Sequence, residues 1–235
     1  MTSFARFLSM LCVLALGVAL AGCGDKEATQ RAAFITFLQT RVLDRPGVRV
    51  PQPNEEQKKS FGEYAQHYAV ITEFNEGMNQ SVSKPMNEIM SRGALRSISD
   101  VVARRDDLKV AREGIVTLRK ALDAQLVKAD AARAQLKQPA DLKTVFDQAY
   151  ERTVTQPAST FTEVFPALDA VFEGAIKVAD YMTQNKSKIS VNGAQVTVMD
   201  PAVQKELNAM LQQLNTHSAA IATAQRKLQA MVRGS

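Results

Sequence analysis

The sequence predicts an all-α fold: an elongated helical bundle of about six helices with one small β-hairpin near residues 188–199. Three observations support this prediction. Eleven Gly and eight Pro are few for 235 residues, whereas 33 Ala favour helix. Apolar residues recur at steps of three or four along most of the chain. The alternating pattern typical of a strand occurs around Asn192-Gly193, a strong hairpin signal.

The N-terminal segment carries a targeting signal. Met1 to Leu20 contains one basic residue, Arg6, and no acidic residue. Its apolar run from Phe7 to Leu20 would extend about 21 Å as a helix, too short for a hydrocarbon core of about 30 Å. This pattern predicts a signal peptide, and no later segment approaches 18 consecutive apolar residues.

The tetrapeptide Leu20-Ala21-Gly22-Cys23 resembles the lipobox of bacterial lipoproteins. The resemblance implies removal of residues 1–22 and attachment of diacylglycerol and acyl chains such as palmitate at Cys23. The mature chain, 23–235, is then expected to form a single periplasmic helical domain. It retains no cysteine for an internal disulfide, because Cys12 is lost with the signal peptide.

The residue after the lipidated cysteine bears on localisation. In lipoproteins an Asp there tends to retain the protein in the inner membrane, and here Gly24 follows instead. The resemblance therefore implies the periplasmic leaflet of the outer membrane, with the periplasmic face of the inner membrane as the alternative.

The spacing of apolar residues predicts the helices in order. The first runs from Asp25 to Val42 and is followed by a linker with Pro46, Gly47, Pro51 and Pro53. A second, long helix runs from Glu55 to Val82 with Asn54 as its cap. Its inward stripe contains Phe61, Tyr64, Tyr68, Ile71, Phe74, Met78 and Val82.

Prolines are expected to separate the next helices. Lys84-Pro85 ends or kinks the second helix, and the stretch to Ser99 is treated as a turn region. A third helix runs from Ser99 or Asp100 to Gln138, with Pro139 after it. A fourth runs from Asp141 to Thr155, where Gln156-Pro157 marks a boundary.

Two more helices complete the bundle. The fifth is expected to begin at Ser159 or Thr160, with Glu163 completing a capping arrangement, and to reach Gln184 as the most buried helix. The hairpin follows, and Asp200-Pro201 starts a last helix that ends near Arg233-Gly234.

Several stretches are similar to the YiaF-like family of enterobacterial lipoproteins. They include the opening from Cys23 to Gln39, Gln57–Gly62 and above all Ala129–Tyr150. The match covers most of the mature chain and weakens between Ser83 and Arg105. This is a family of unknown function, so the resemblance implies the anchor and the fold, and of the residues only Cys23 receives a role.

The reactive residues form no recognisable catalytic or metal-binding motif in the sequence. His67 lies at the edge of an apolar stripe and His217 lies on another apolar stripe. Both are interpreted as structural residues. No zinc set can be assembled from two His, and we expect no metal and no cofactor. The acid pairs Asp106-Asp107 and Glu55-Glu56 are interpreted as solvated surface. Gly-x-Ser-x-Gly and Gly-rich phosphate motifs are absent from the sequence, so we expect no enzyme.

The net charge of +5 and the pI of about 9.2 suggest anionic partners. The expected periplasmic location excludes nucleic acid. Lys58-Lys59, Arg104-Arg105 and the pair Lys186 and Lys188 are candidates for contact with lipid headgroups or cell-wall polymers, although solvated surface is the favoured interpretation. The stripe from Phe61 to Met78 is likewise either a groove for an apolar ligand or, as favoured, plain core.

These patterns together favour a non-enzymatic protein that acts by contact. We expect a lipid-anchored envelope scaffold or an accessory to another envelope protein, attached to the membrane through Cys23. A carrier that holds a lipid or other apolar ligand between its helices is the alternative hypothesis.

Overall fold

The computed structural model describes residues 25–93, 97–192 and 195–234. The first helix, α1, covers 25–37 and continues through π-helical Leu38–Leu43. The later elements in chain order are α2 (Glu55–Phe61), α3 (Tyr64–Met78), α4 (Lys84–Gly93), α5 (Ile98–Ala103), α6 (Arg105–Ala134), α7 (Ala140–Tyr150), α8 (Gln156–Gln184), β1 (Ile189–Asn192), β2 (Gln195–Val198) and α9 (Pro201–Arg233). The all-α fold with one small hairpin is confirmed.

Pro85 and Pro157 lie inside continuous helical segments, although the sequence predicted boundaries there. The π-helical segments Asn79–Ser83 and Glu151–Thr155 end two residues before these prolines. A proline lacks the N–H for the carbonyl four residues earlier and collides with it, and a wider preceding turn moves that carbonyl aside. The turn region predicted from Lys84 to Ser99 is therefore wrong between Lys84 and Gly93, where the chain forms α4. The helix boundary predicted at Gln156-Pro157 is wrong as well.

Two long predicted helices are instead divided. Gly62, with φ of 58°, separates α2 from α3, and a Cβ there would collide with the Gln30 side chain of α1. Arg104 separates α5 from α6, and α6 ends at Ala134 rather than at Gln138. Neither break contains a proline, and the apolar spacing runs through both, so periodicity alone did not reveal them.

The caps of α2 and α9 are those predicted. Asn54 Oδ1 accepts from the Gln57 N–H while the Gln57 side chain accepts from the Asn54 N–H, both at 2.9 Å. Asp200 accepts from the N–H groups of Ala202 and Val203. These contacts fix the starts of both helices.

The cap predicted for the fifth helix is wrong. α8 begins earlier, at Gln156, so Thr160 lies within it and donates its hydroxyl to the Gln156 carbonyl at 2.9 Å. Glu163 pairs with Lys227 of α9 at 3.2 Å instead of closing a capping box. The continuous backbone across Pro157 explains the earlier start.

The buried apolar side chains form one continuous cluster. α8 packs against α5, α6 and α9, and α6 packs also against α3 and α4. α8, predicted as the most buried helix, contributes ten buried residues, more than any other described helix, and remains helical through Pro166. The predicted stripe of the second helix has exposures of 0–6% at Phe61, Tyr64, Tyr68, Ile71, Phe74, Met78 and Val82. The stripe is core and not an open groove.

α1 completes this core with two aromatic rings. The Tyr68 ring lies 6.3 Å from that of Phe34 and 5.2 Å from that of Phe37, both near perpendicular. The described part of α1 begins two residues after the predicted lipidation site, Cys23, and it is part of the folded body.

The hairpin and α9 lie at the end of the chain. In the hairpin Ile189 pairs with Val198 and Asn192 with Gln195, and Gly193 of the predicted turn lies outside the described residues. α9 buries Val203 and Leu207, whereas later residues of its stripe such as Leu214 and Leu228 are only half-buried and Val232 is exposed. Across the described ranges, no helix combines the length and apolarity needed to cross a bilayer.

Candidate functional site

The end of α1 and the loop after it bear a groove lined by three arginines. Arg41, Arg45 and Arg49 border a surface cavity of about 670 Å³. Its remaining walls are formed by Pro46, Val48, Val50 and Pro51. We call this set of seven residues the arginine groove. The two prolines restrict the backbone of its walls, which favours a fixed shape.

Backbone carbonyls orient two of the three guanidinium groups. Arg45 Nε donates to the Thr40 carbonyl at 3.1 Å, and Arg49 Nε donates to the Pro46 carbonyl at 3.3 Å. Each of these bonds is donated by Nε, the guanidinium nitrogen nearest the backbone. The Nη groups, which recognise anions with two parallel bonds, remain available to a ligand.

Arg152 fixes the backbone beneath the groove. Its Nη1 donates to the Leu43 carbonyl at 3.0 Å, while Nε and Nη2 donate to the Gly47 carbonyl at 3.2 and 3.0 Å. Nη2 also donates to the Arg45 carbonyl. Arg152 reaches these carbonyls from the π-helical segment that follows α7. One side chain thus secures a loop more than a hundred residues earlier in the chain.

The C-terminal end of α9 secures the same loop from another side. The Val48 N–H donates to the Met231 carbonyl at 3.1 Å. Gly47 and Gly234 have φ of 71° and 79°, and a Cβ on either would collide with the backbone of the other segment. Both positions therefore require glycine. These contacts leave the loop little freedom to collapse into the groove.

The three groove arginines lack the carboxylate partners that several other arginines of the described chain have. Among the described residues, no carboxylate forms an ion pair with Arg41, Arg45 or Arg49. Elsewhere, arginines pair with carboxylates at the following sites: Arg31 with Asp141, Arg105 with Asp180, Arg112 with Asp169 and Glu173, and Arg133 with Asp147. The groove is therefore a local excess of positive charge on an ordered surface.

A second groove, of about 830 Å³, lies on the other side of the loop and shares Val48 with the first. Two of its charged residues are paired with each other: Arg133 Nη2 lies 2.8 Å from Asp147 Oδ1. Burial raises the pKa of the Asp147 carboxyl, but the bonds from Lys143 and Arg133 outweigh it and hold that pKa below its ordinary value. This groove offers less unpaired charge than the arginine groove.

The predicted lipidation site, Cys23, lies outside the described residues. The described part of α1 starts at residue 25, and its turns there are attached to the rest of the fold. Tyr64 Oη donates to Glu27, and Arg31 Nε lies 3.2 Å from Asp141 Oδ2. Burial together with Glu27 raises the pKa of the Tyr64 hydroxyl to about 12. The start of α1 is therefore joined to both α3 and α7.

The two histidines lie on different faces of the fold. His67 is half-buried, with Nδ1 3.2 Å from Gln138 Nε2 and its ring perpendicular to that of Tyr64. His217 lies half-buried in α9 and borders a small cavity of about 160 Å³ together with Lys177. In the described ranges, no group of three or more His, Cys, Asp or Glu could hold a metal ion.

The acid pairs singled out in the sequence lie on the surface. Asp106 and Asp107 are exposed and pair with neighbouring arginines, and Glu55 pairs with Lys58 at 2.8 Å. These carboxylates do not face one another across a cleft. Their solvated-surface interpretation is confirmed.

The predicted basic candidates are largely occupied by ion pairs. Lys58, Arg104, Arg105 and Lys188 each pair with a carboxylate of the described chain, and Lys188 reaches Asp200 at 2.6 Å. The arginine groove was missed because its three arginines are separated along the sequence. Their spacing of four residues around Pro46-Gly47 is the signal that could have indicated it.

The fold and the groove define a helical protein with a basic surface site. The family described as "Protein of unknown function (DUF3053)" matches residues 10–229, and the chain belongs to this family.

The chain is similar to the uncharacterized protein YiaF of Escherichia coli (strain K12), with 36% identity over 196 residues. The alignment covers 82% of this chain and 83% of that protein. YiaF of Shigella flexneri matches to the same extent. No solved structure matches the chain significantly. The predicted YiaF-like family is confirmed.

Proposed function

We propose that this protein is a non-enzymatic, lipid-anchored lipoprotein of the periplasmic envelope that acts by contact with another envelope component. The observation that carries the proposal is the attachment of α1 at both ends. Glu27 and Arg31 hold its start next to the lipobox, and Arg152 holds the carbonyls at its end. An anchor at Cys23 would thereby lie two residues before a helix that is fixed to the folded body and that ends at the arginine groove.

The length of α1 sets the distance between anchor and groove. From residue 25 to Leu43 the helix rises about 27 Å at about 1.5 Å per residue. A contact surface at that distance suits a scaffold or accessory protein, which must present its binding face away from its own attachment point. Another envelope protein or a cell-wall polymer is the proposed partner.

The chemistry of the described surface supports contact rather than reaction. Arg112 pairs with Asp169 and Glu173 at 2.7 and 2.8 Å, and the Arg112 guanidinium holds the pKa of Asp169 below its ordinary value. Carboxylates neutralised in this way are poor proton acceptors. We therefore propose that the protein is not an enzyme.

The proposed location is the periplasmic leaflet of the outer membrane, since Gly24 and not Asp follows Cys23. The periplasmic face of the inner membrane is the alternative location. Two or three acyl chains give lasting attachment without a spanning helix.

Cross-linking in cells tests the contact proposal. A photo-reactive residue placed at Val50 in the groove should give discrete adducts with an envelope component, whereas the same residue at the exposed control position Thr117 should not. The adducts should disappear with Cys23→Ser, which removes the anchor. Equal adduct patterns at both positions, or none at Val50, would contradict the proposal. A stoichiometric apolar ligand in native mass spectrometry would instead favour a carrier.

A further inference from the structure

The arginine groove has the properties of an anion-binding site. Three arginines border one cavity, and the guanidinium groups of two of them, Arg45 and Arg49, are oriented through Nε by backbone carbonyls. Arg41 lies at the helical end of α1, and the loop that carries Arg45 and Arg49 is secured by Arg152 and by the end of α9. An ordered set of donors loses less conformational entropy on binding than a set of free surface side chains.

We propose that the arginine groove binds phosphate groups, with Arg41, Arg45 and Arg49 as ligands. The inference rests on the proposed function, because it names the ligand chemistry of the surface through which the anchored protein would make contact. The source of the phosphate is either a lipid headgroup or a free phosphate compound.

The number of donors favours phosphate over carboxylate. A carboxylate has two oxygens, which one guanidinium can occupy with two parallel bonds. Elsewhere in this protein single arginines are paired with carboxylates in this manner, as Arg112 with Asp169. A phosphate group presents more oxygens around one centre, so it can accept from several arginines at once. Three arginines without a described carboxylate partner match that geometry.

The apolar side chains of the groove lie on the same surface as its arginines. Val48 and Val50 line the groove beside the three arginines, which are exposed. Several charge-assisted hydrogen bonds made to one anion are stronger than the attraction of scattered surface charges, which salt screens. Binding should therefore persist at physiological salt.

The test measures binding to the full-length lipoprotein in a neutral detergent by calorimetry at physiological salt. Inorganic pyrophosphate represents a free phosphate compound, and dihexanoyl phosphatidylglycerol represents a lipid headgroup. Dihexanoylglycerol, which lacks phosphate, is the ligand control. Binding by pyrophosphate alone assigns the site to free phosphate compounds, and tighter binding by the phospholipid assigns it to headgroups.

Matched variants identify the groove. Arg41→Gln/Arg45→Gln/Arg49→Gln should weaken binding about tenfold or more, because charge-assisted bonds to the anion are lost. Arg119→Gln/Lys120→Gln/Lys205→Gln removes three exposed charges elsewhere and should change binding by less than about threefold. Thermal unfolding of each variant shows whether it is folded. If the triple variant is unfolded, three single variants, each with one of the groove substitutions, replace it.

Conservative variants separate specific recognition from general attraction. Arg41→Lys/Arg45→Lys/Arg49→Lys keeps the charge and removes the planar forks, so it should lose most of the affinity. The proposal would be overturned if the lysine variant bound the phosphate probes as tightly as the wild type, or if the control variant lost as much affinity as the groove variant. It would also be overturned if the wild type bound polyglutamate as tightly as the phosphate probes. Absence of binding by both phosphate probes would also overturn it. None of these outcomes depends on membrane attachment, so the cross-linking test of the proposed function stands separately.

Discussion

Asn75 Nδ2 donates a hydrogen bond to the backbone carbonyl of Thr153 at 3.2 Å. Thr153 is fully buried, and its carbonyl is the one to which a residue at 157 would donate in a regular helix. Because Pro157 has no N–H, the amide of a distant helix supplies the missing donor. This contact joins α3 to the π-helical segment before α8 and satisfies a buried polar group.

Removing this donor should destabilise the fold. Asn75→Ala should lower the free energy of unfolding by about 1–3 kcal/mol, because a buried acceptor loses its partner. The exposed Asn208→Ala on α9 is the control and should change it by less than about 0.5 kcal/mol. Urea unfolding measures both. In a Pro157→Ala background the cost of Asn75→Ala should shrink, since the restored N–H can donate to the same carbonyl, and an equal cost in both backgrounds would contradict this role.

Two buried tyrosines should respond in opposite ways to loss of the hydroxyl. Tyr68 Oη is buried and has no hydrogen-bond partner among the described residues, whereas Tyr150 Oη donates to Asp130 at 2.7 Å. Tyr68→Phe should leave the free energy of unfolding unchanged or raise it, and Tyr150→Phe should lower it by about 1.5–3 kcal/mol. A clear loss of stability in Tyr68→Phe, measured by the same urea titration, would show that its hydroxyl is bonded.

Replacing Arg152 should loosen the groove. A lysine has one compact ammonium group and cannot reach the carbonyls of Leu43, Arg45 and Gly47 together, so Arg152→Lys should cost about 1–3 kcal/mol. Amide hydrogen exchange at Val48, whose N–H donates to Met231, should accelerate. Arg119→Lys, on exposed α6 surface, provides the control. Unchanged protection at Val48 in the Arg152 variant would argue that the C-terminus alone holds the loop.

His67 should make stability depend on pH. Burial lowers the pKa of His67 from its ordinary value of 6.5, with Glu63 opposing in part, so below pH 6.5 the unfolded chain binds the proton more readily than the folded one. Protonation of Nδ1 would also end its acceptance from Gln138. The urea midpoint should therefore fall as the pH decreases below 6.5. His67→Gln should reduce this dependence, whereas a profile altered only by His217→Gln would contradict the assignment.

The core of the second helix could be predicted from sequence because its stripe is regular. Phe61, Ile71 and Val82 recur in phase with one helical face, and all are buried. The division at Gly62 could not be predicted, because it depends on the Gln30 side chain of α1. The donor that replaces the missing N–H of Pro157 likewise could not be predicted, because Asn75 is seventy-eight residues away from Thr153.

The candidate site was harder to predict than the fold. Runs of adjacent charges such as Arg104-Arg105 attract attention in a sequence, yet they are paired with acids in the structure. The loop of the arginine groove is held by Arg152, whose partners are backbone carbonyls. Because every residue has a backbone carbonyl, these partners cannot be recognised from the sequence. Only the four-residue spacing of its arginines is visible in the sequence.

The proposed anchor at Cys23 is tested most directly by the mass of the N-terminal peptide. The full chain is expressed in a bacterium that processes lipoproteins, extracted in detergent, digested and examined by mass spectrometry. We predict a peptide that begins at Cys23 and carries diacylglycerol and acyl chains, with residues 1–22 removed. A peptide that begins at Met1, or one in which Cys23 carries no lipid, would contradict the account.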